Sequence, residues 1–329
     1  MTGARRRGLL CALAVALLAP ACSLPFTTSA GSGGRPAEQP SGPARAALVR
    51  GVYGHDSSYE PALPNTTGFA VMRRTGFGVV QAGPYREGLD ALEAAGLRAM
   101  VWLGSYDNRT CAFERDAAWV RRQVSAIAGH PAIYAYYIGD EPLVGRCPHA
   151  PDDLRGRTSL VHQLDRQART FTVIQAWDPV RNAVPYPLWA GSGAVDIWGF
   201  DVYPCKRSPY RCDLEAIDQA RALIEELGFS PYLAVLQDFQ DCYYGLPTNA
   251  DLHAQFARWR QSRMAGYLVF SWDYVSAEPG CAQYAAQLER VPGNVQALAC
   301  ENALSSGDRP ADPDCARTAA PAAAVPPGA

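Results

Sequence analysis

The 329-residue chain sets 30 Lys and Arg against 32 Asp and Glu for a formal charge of -2, with 48% of its residues hydrophobic. Such a balance, with no Lys/Arg-dense stripe beyond the extreme N-terminus, gives no footprint for a polyanion, so nucleic acid is not expected as a partner. The apolar share can bury one large core, and the length suits a single α/β barrel as well as two smaller domains.

In chain order, Arg5, Arg6 and Arg7 precede an apolar stretch from Leu9 to Leu18 and then Ala19-Pro20-Ala21-Cys22. This reads as an export signal over residues 1–21, too short to span a membrane. Cys22 stands where a bacterial lipoprotein takes its lipid, and the segment resembles a lipobox with Ala19 in place of the usual large aliphatic and an atypical Pro20. Ala19-Pro20-Ala21 also fits ordinary signal-peptidase cleavage. Residues 22–47 are a Ser/Gly/Pro-rich tether of the kind that holds a domain off a surface. The expectation is an exported protein on the outer face of the membrane through a lipid on Cys22, with a secreted soluble form as the alternative.

From residue 48 short apolar runs alternate with longer amphipathic segments. The runs predict strands at Val49–Tyr53, Gly78–Gln81, Arg98–Leu103, Ile133–Ile138, Thr172–Gln175, Asp196–Asp201, Tyr232–Gln237 and Tyr267–Trp272. Between them helices are predicted at Thr67–Thr75, Arg86–Ala95, Glu114–Ala128, Asp152–Thr170, Asp213–Leu227 and Asn249–Met264, with a last one from Ala282 to Leu288 or beyond. The fifth connection, Val180 to Gly193, is broken by proline and only weakly helical. Parallel strands need helical crossovers and close at eight, so the pattern predicts a (β/α)8 TIM barrel over residues 48–304. An open doubly wound sheet fits less well, because Tyr53-Gly54-His55-Asp56 replaces the glycine-rich phosphate loop that would follow its first strand. The Ala/Pro-rich stretch 305–329 reads as an unstructured tail.

Setting aside Cys11 and Cys22, eight cysteines remain at 111, 147, 205, 212, 242, 281, 300 and 315. An even set in an exported protein reads as disulfides, and the absence of Cys-x-x-Cys pairs argues against a metal cluster. Neighbouring pairs are the expected connectivity: Cys111 with Cys147, Cys205 with Cys212, Cys242 with Cys281 and Cys300 with Cys315. No cofactor and no metal is expected, and a monomer is.

In a barrel the chemistry sits at the C-terminal ends of the strands. Asp140-Glu141-Pro142 closes the apolar run IYAYYIG, where a carboxylate is partly desolvated and crowded by a like charge, both of which raise a pKa toward that of a general acid. Glu141 is therefore the first candidate catalyst, the alternative being a carboxylate held by a barrel-lining Arg or a helix cap by Asp140. Asp201 in DIWGFDVYP is a second candidate, or else an N-cap or a partner of Arg207 or Arg211. Around them the strand ends offer Tyr53, His55, Trp102, Tyr137, Gln175, Tyr203, Gln237 and Trp272 as substrate-binding groups. Carboxylates, amides and flat rings around one mouth suit a sugar, whose hydroxyls want paired hydrogen bonds and whose C–H faces stack on aromatics. Lone His55 is expected to be a hydrogen-bonding group, and Trp102 and Trp272 could equally be barrel filling.

The segments YYIGDEP, DIWGFDVYP, VLQDF and LVFSWDY resemble the fourth, sixth, seventh and eighth strand ends of secreted (β/α)8 glycoside hydrolases and their bacterial relatives. In the large retaining group of that fold the acid/base glutamate follows strand four, usually after asparagine, and a nucleophilic glutamate follows strand seven. The resemblance implies that Glu141 is the acid. Two departures stand out: Asp140 replaces the asparagine, and Gln237 occupies the place of the nucleophile, where an amide cannot form a glycosyl ester. Three outcomes are open. Asp201, or less readily Asp238 or Asp273, could be the base of an inverting reaction. Alternatively, Asp140 could orient a 2-acetamido group that acts as the substrate's own nucleophile, as in hexosaminidase-type barrels, with Tyr203 and Trp272 completing the pocket. Thirdly, the barrel could bind glycan in the cell envelope as a scaffold, without turnover.

Overall fold

The computed structural model describes residues 48–53, 66–272 and 294–307, with Cys281 and Cys315 as isolated positions. Residues 1–47, His55, Asp56, Asp273, the expected helix from 282 and most of the tail lie outside this set. Eight strands form one closed parallel barrel: β1 (Val49–Val52), β2 (Val79–Ala82), β3 (Arg98–Trp102), β4 (Ile133–Asp140), β5 (Thr170–Gln175), β6 (Ile197–Asp201), β7 (Tyr232–Gln237) and β8 (Gly266–Phe270). Neighbours in sequence are neighbours in the barrel, and β8 closes on β1 with Val49 opposite Gly266 and Val52 opposite Val269. This is the (β/α)8 TIM barrel that the alternation of elements predicts. The closing seam explains Gly266: a Cβ there would lie 2.3 Å from the Val49 carbonyl oxygen, so only glycine permits so close an approach of two backbones.

Two apolar layers follow from the alternation of side chains along a strand. Val79, Met100, Ala135, Tyr137, Phe171, Val173, Ile197, Leu233, Val235 and Leu268 fill the barrel, while Val80, Val101, Tyr136, Ile138, Phe200, Ala234 and Val269 pack outward against the helices. Those helices are α1 (Thr66–Arg74), α2 (Arg86–Ala94), α3 (Ala117–Ile127), α4 (Ala150–Leu164), α5 (Tyr186–Trp189), α6 (Glu215–Glu226), α7 (Asn249–Trp259) and α8 (Val295–Ser306). Asp116 caps α3 by accepting from the Trp119 amide at 2.7 Å, and Thr248 with Asp251 forms a capping box on α7.

The departures from the sequence reading lie at element ends. The fourth helix stops at Leu164 rather than Thr170, because the Asp165 carboxylate turns to accept from the Gly129 amide at 3.0 Å and the Tyr136 hydroxyl at 3.1 Å. The helix after β7 stops at Trp259 rather than Met264. Helix α8 runs through the expected domain boundary at 304 and ends at Gly307, whose φ of 76° suits a left-handed cap. All four expected disulfides are formed. Three of them lie in the loops at the C-terminal mouth; the fourth, Cys300–Cys315, joins α8 to the tail.

Candidate active site

Strand β4 carries the centre of the site. Its pairing with β5 shifts register between Tyr137 and Gly139, and Glu141 follows with a φ of 41°, a left-handed backbone that a non-glycine residue adopts only when held there. Together these bring two consecutive carboxylates, Asp140 and Glu141, to the wall of one cavity. Asn108, from the loop after β3, holds the bend: its amide donates to the Glu141 carbonyl at 3.0 Å and its oxygen accepts from the Leu143 amide at 2.7 Å. The Cys111–Cys147 disulfide ties the same two loops. Gln175 at the end of β5 donates its amide to the Glu141 carboxylate, and the Tyr137 hydroxyl donates to Asp140. Asp178 fastens the next stretch of wall, accepting from the Gly145 amide at 2.7 Å and from Val180 at 2.9 Å.

Asp201 closes the cluster from β6. Only 4% exposed, it lies within hydrogen-bonding reach of Glu141, and its Oδ1 is buried without a partner. Burial pushes the Asp201 carboxyl well above the ordinary carboxylate range, and the Glu141 charge and contact push it further. Asp140 is raised to about 7, first by burial and then by Glu141, against the lowering effect of the Tyr137 hydrogen bond. Like charges this close cannot all ionise, so Asp201 keeps a proton. None of the ion pairs among the described residues involves Asp140, Glu141 or Asp201. The arginine-held reading of Glu141 and the pairing of Asp201 with Arg207 or Arg211 therefore do not describe this site.

The cavity above the carboxyls measures about 670 Å³, the size of a small-ligand pocket. Tyr53, Gln175 and Tyr203 line it, as the sequence suggests. Beneath them Tyr137 packs edge-on against Tyr53, Trp102 and Phe171, with ring centroids 6.1, 4.7 and 4.9 Å away. Five expectations need correction, Tyr137 among them: it is fully buried in that stack and does not line the cavity. Trp102 is spent on that stack and does not line the cavity. Trp272 is turned away, edge-on to Phe77 at 6.3 Å, while its amide donates to the Tyr53 carbonyl at 2.9 Å; Phe270 takes the lining position instead. Gln237 is fully buried and saturated by backbone: its oxygen accepts from the Cys205 amide at 2.8 Å, and its Nε2 donates to the carbonyls of Cys205 at 3.1 Å and Gly245 at 2.9 Å. Asp238 is buried against Asn294, away from the cavity, and so is no candidate base.

Several lining residues escape a reading by strand ends. Lys206 and Arg211 belong to a two-stranded ribbon, Cys205–Arg207 with Tyr210–Cys212, that follows β6 and overhangs the cavity. Trp177, 48% exposed, and Pro179 stand on the wall after β5, and Tyr244 and Asp241 come from the loop after β7. The signal for the ribbon was a closely spaced cysteine pair enclosing the chain's only lysine. Away from the mouth, His253, Cys300 and Glu301 cluster like metal donors, but Cys300 is in a disulfide and Glu301 is engaged by His253 at 2.5 Å and by Arg260.

No protein-family model matches the chain, and no curated protein matches it in sequence. Solved structures do match in fold. They include the GH2 β-galacturonidase of Eisenbergiella tayi bound to galacturonate, with a TM-score of 0.56 and 14% identity over 78% of this chain and 51% of that one. The β-glucuronidase of Faecalibacterium prausnitzii gives 0.53 and 17% over 71% and 44%. A putative α-L-fucosidase from Bacteroides thetaiotaomicron gives 0.50 and 12% over 82% of this chain and 99% of that one. The chain thus spans about half or less of the uronidases it matches. At these identities the likeness is one of architecture: the protein has a TIM-barrel fold that glycoside hydrolases also have, with a carboxylate cluster at the C-terminal end of its barrel strands.

Proposed function

We propose that this protein hydrolyses a glycosidic bond in a polysaccharide or oligosaccharide, with Glu141 as general acid and the substrate's own 2-acetamido group as nucleophile. One observation carries the reading: Asp140, Glu141 and Asp201 converge on a single cavity and, among the described residues, none of them is in an ion pair. The closeness of Glu141 to Asp201 favours the substrate-assisted route. An inverting pair needs about 6.5–9.5 Å between carboxyls to admit a water and a retaining pair about 5–5.5 Å, whereas the Glu141 carboxyl lies close enough to Asp201 to raise its pKa directly. Gln237, bound into backbone, offers no nucleophile from β7. In the proposed reaction Glu141 passes a proton to the leaving glycosidic oxygen as that bond breaks. The acetamido oxygen bonds to the anomeric carbon to give an oxazolinium ion, which Asp140 stabilises. Water then opens the ring, returning a proton to the Glu141–Asp201 pair. Tyr203 and Trp177 supply ring faces and Gln175 holds Glu141.

The even set of extracytoplasmic-type cysteines and the signal-like N-terminus support an exported protein acting as a monomer at the cell envelope, lipid-anchored through Cys22 or released. The test of function is reducing-end release from chitooligosaccharide, peptidoglycan fragments, β-glucan, mannan and xylan by the wild type and by Glu141→Gln. Equal rates in both remove Glu141 from the mechanism. Turnover confined to glycans without the acetamido group removes substrate assistance and leaves Glu141 as acid.

A second reading, a glycan-binding barrel without turnover, draws on the same missing nucleophile. It predicts glycan affinity, no release of reducing ends, and affinity that survives Glu141→Gln.

A further inference from the structure

We infer that the cavity recognises a glycan carrying an anionic substituent, a carboxylate or a sulfate ester, gripped between Lys206 and Arg211. The inference rests on the glycan-binding reading of the cavity and names the substrate class within it. Lys206 and Arg211 are directly opposite in the antiparallel ribbon, so their side chains leave it on the same face, and both line the cavity. Neither takes part in an ion pair among the described residues. Like charges placed opposite one another on a ribbon repel. An anion lying between them turns that repulsion into two charge-assisted contacts.

The ribbon is built to hold this arrangement. The Cys205–Cys212 disulfide closes it, and the Gly245 amide donates to the Cys205 carbonyl at 3.1 Å and the Arg207 amide to the Tyr243 carbonyl at 3.1 Å. The Tyr244 ring lies 4.0 Å below the Lys206 ammonium and steers it over the cavity. Gln237 clasps both backbone groups of Cys205. The residue that stands in the nucleophile's place is thus a positioning residue for the cationic arm. The floor carries Asp140, Glu141 and Asp201, and Asp213 and Asp241 also line the wall, so an anion fits only between the two cations at the rim. The charged group therefore belongs on a sugar beside the scissile bond, away from the reacting carbon.

The experiment is calorimetric titration of the full-length Glu141→Gln protein with three hexasaccharides: neutral chitohexaose, hyaluronan carrying carboxylates, and chondroitin sulfate carrying sulfates and carboxylates. Each is run at low and at physiological salt. The expected result is at least a tenfold preference for one or both acidic ligands at low salt. That preference shrinks with added salt, collapses in Lys206→Ala/Arg211→Ala and survives in Lys206→Arg, and thermal melts confirm that each variant is folded. A gain on sulfation identifies the sulfate as the group held; equal binding of the two acidic ligands identifies the carboxylate. No acidic preference, or one that persists in the double alanine variant, overturns the inference and shows the two cations merely offsetting the acidic floor. The outcome is separable from catalysis. Acidic preference without turnover by the wild type leaves the cationic clamp standing and removes the hydrolase, whereas turnover of neutral glycans without that preference does the reverse.

Discussion

Gln237 satisfies both backbone groups of Cys205, accepting from its amide at 2.8 Å and donating to its carbonyl at 3.1 Å. The position is therefore specific for an amide, which alone offers an acceptor and two donors to a peptide. Gln237→Glu, which restores the residue usual for a retaining nucleophile, is expected to lower stability by about 3 kcal/mol, because a buried carboxylate would face the carbonyls of Cys205 and Gly245. It gains no activity. Denaturant melts near pH 5 and pH 8 check this, with the larger loss at the higher pH, where the new carboxyl is charged.

Glu141 holds its left-handed φ of 41° at a cost of about 1–2 kcal/mol relative to glycine. Glu141→Gly is expected to raise the melting temperature while abolishing turnover, and Glu141→Gln to abolish turnover without that gain. Thermal melts of the two variants side by side separate strain from chemistry.

Asn108 touches no cavity atom of Glu141 yet fixes its carbonyl and the Leu143 amide. Asn108→Ala is expected to cost about 1–3 kcal/mol by leaving those groups unpaired, and to lower kcat more than it raises KM. Steady-state kinetics on whichever glycan is turned over provides the split.

Buried Asp238 is raised to about 8, by desolvation opposed in part by the Asn294 hydrogen bond, and Asp140 to about 7. A folded-state carboxyl pKa above its unfolded value of about 4 means that the folded chain binds more protons between those values. The stability tied to the proton is complete below about pH 4 and is lost as pH rises through about 7 to 8. The melting temperature should therefore fall between about pH 5 and pH 9. Asp238→Asn, an uncharged isostere, should flatten that fall and raise stability at the alkaline end.

The Cys111–Cys147 bridge joins the loop of Asn108 to the loop that follows Glu141. Replacing both cysteines with serine is expected to cost about 3 kcal/mol and to depress activity more than the same change at Cys300 and Cys315, which lie away from the mouth. Melts paired with rate measurements test the contrast.

The barrel is legible in the sequence because buried parallel strands must be apolar on both sides, and runs such as IYAYYIGD and YLAVLQ admit no other placement once eight of them alternate with amphipathic segments. The carboxylate cluster is legible for the same reason, since Asp140, Glu141 and Asp201 terminate such runs. Side-chain direction beyond the last strand residue is not. Trp272 and Gln237 sit at strand ends, yet one turns out toward Phe77 and the other into backbone, as decided by contacts with residues distant in the chain. The ribbon of Lys206 and Arg211 is too short for periodicity to reveal, and α8 has apolar residues all round, so no stripe announces which face packs.

Barrel walls held by apolar burial and a rim held by sulfur bridges are two separate constructions. In a compartment that keeps thiols reduced, this polypeptide would complete the first and lack the second, giving a native-looking circular dichroism spectrum with a slack, unproductive opening. Oxidation would then fix the rim after the chain has already collapsed.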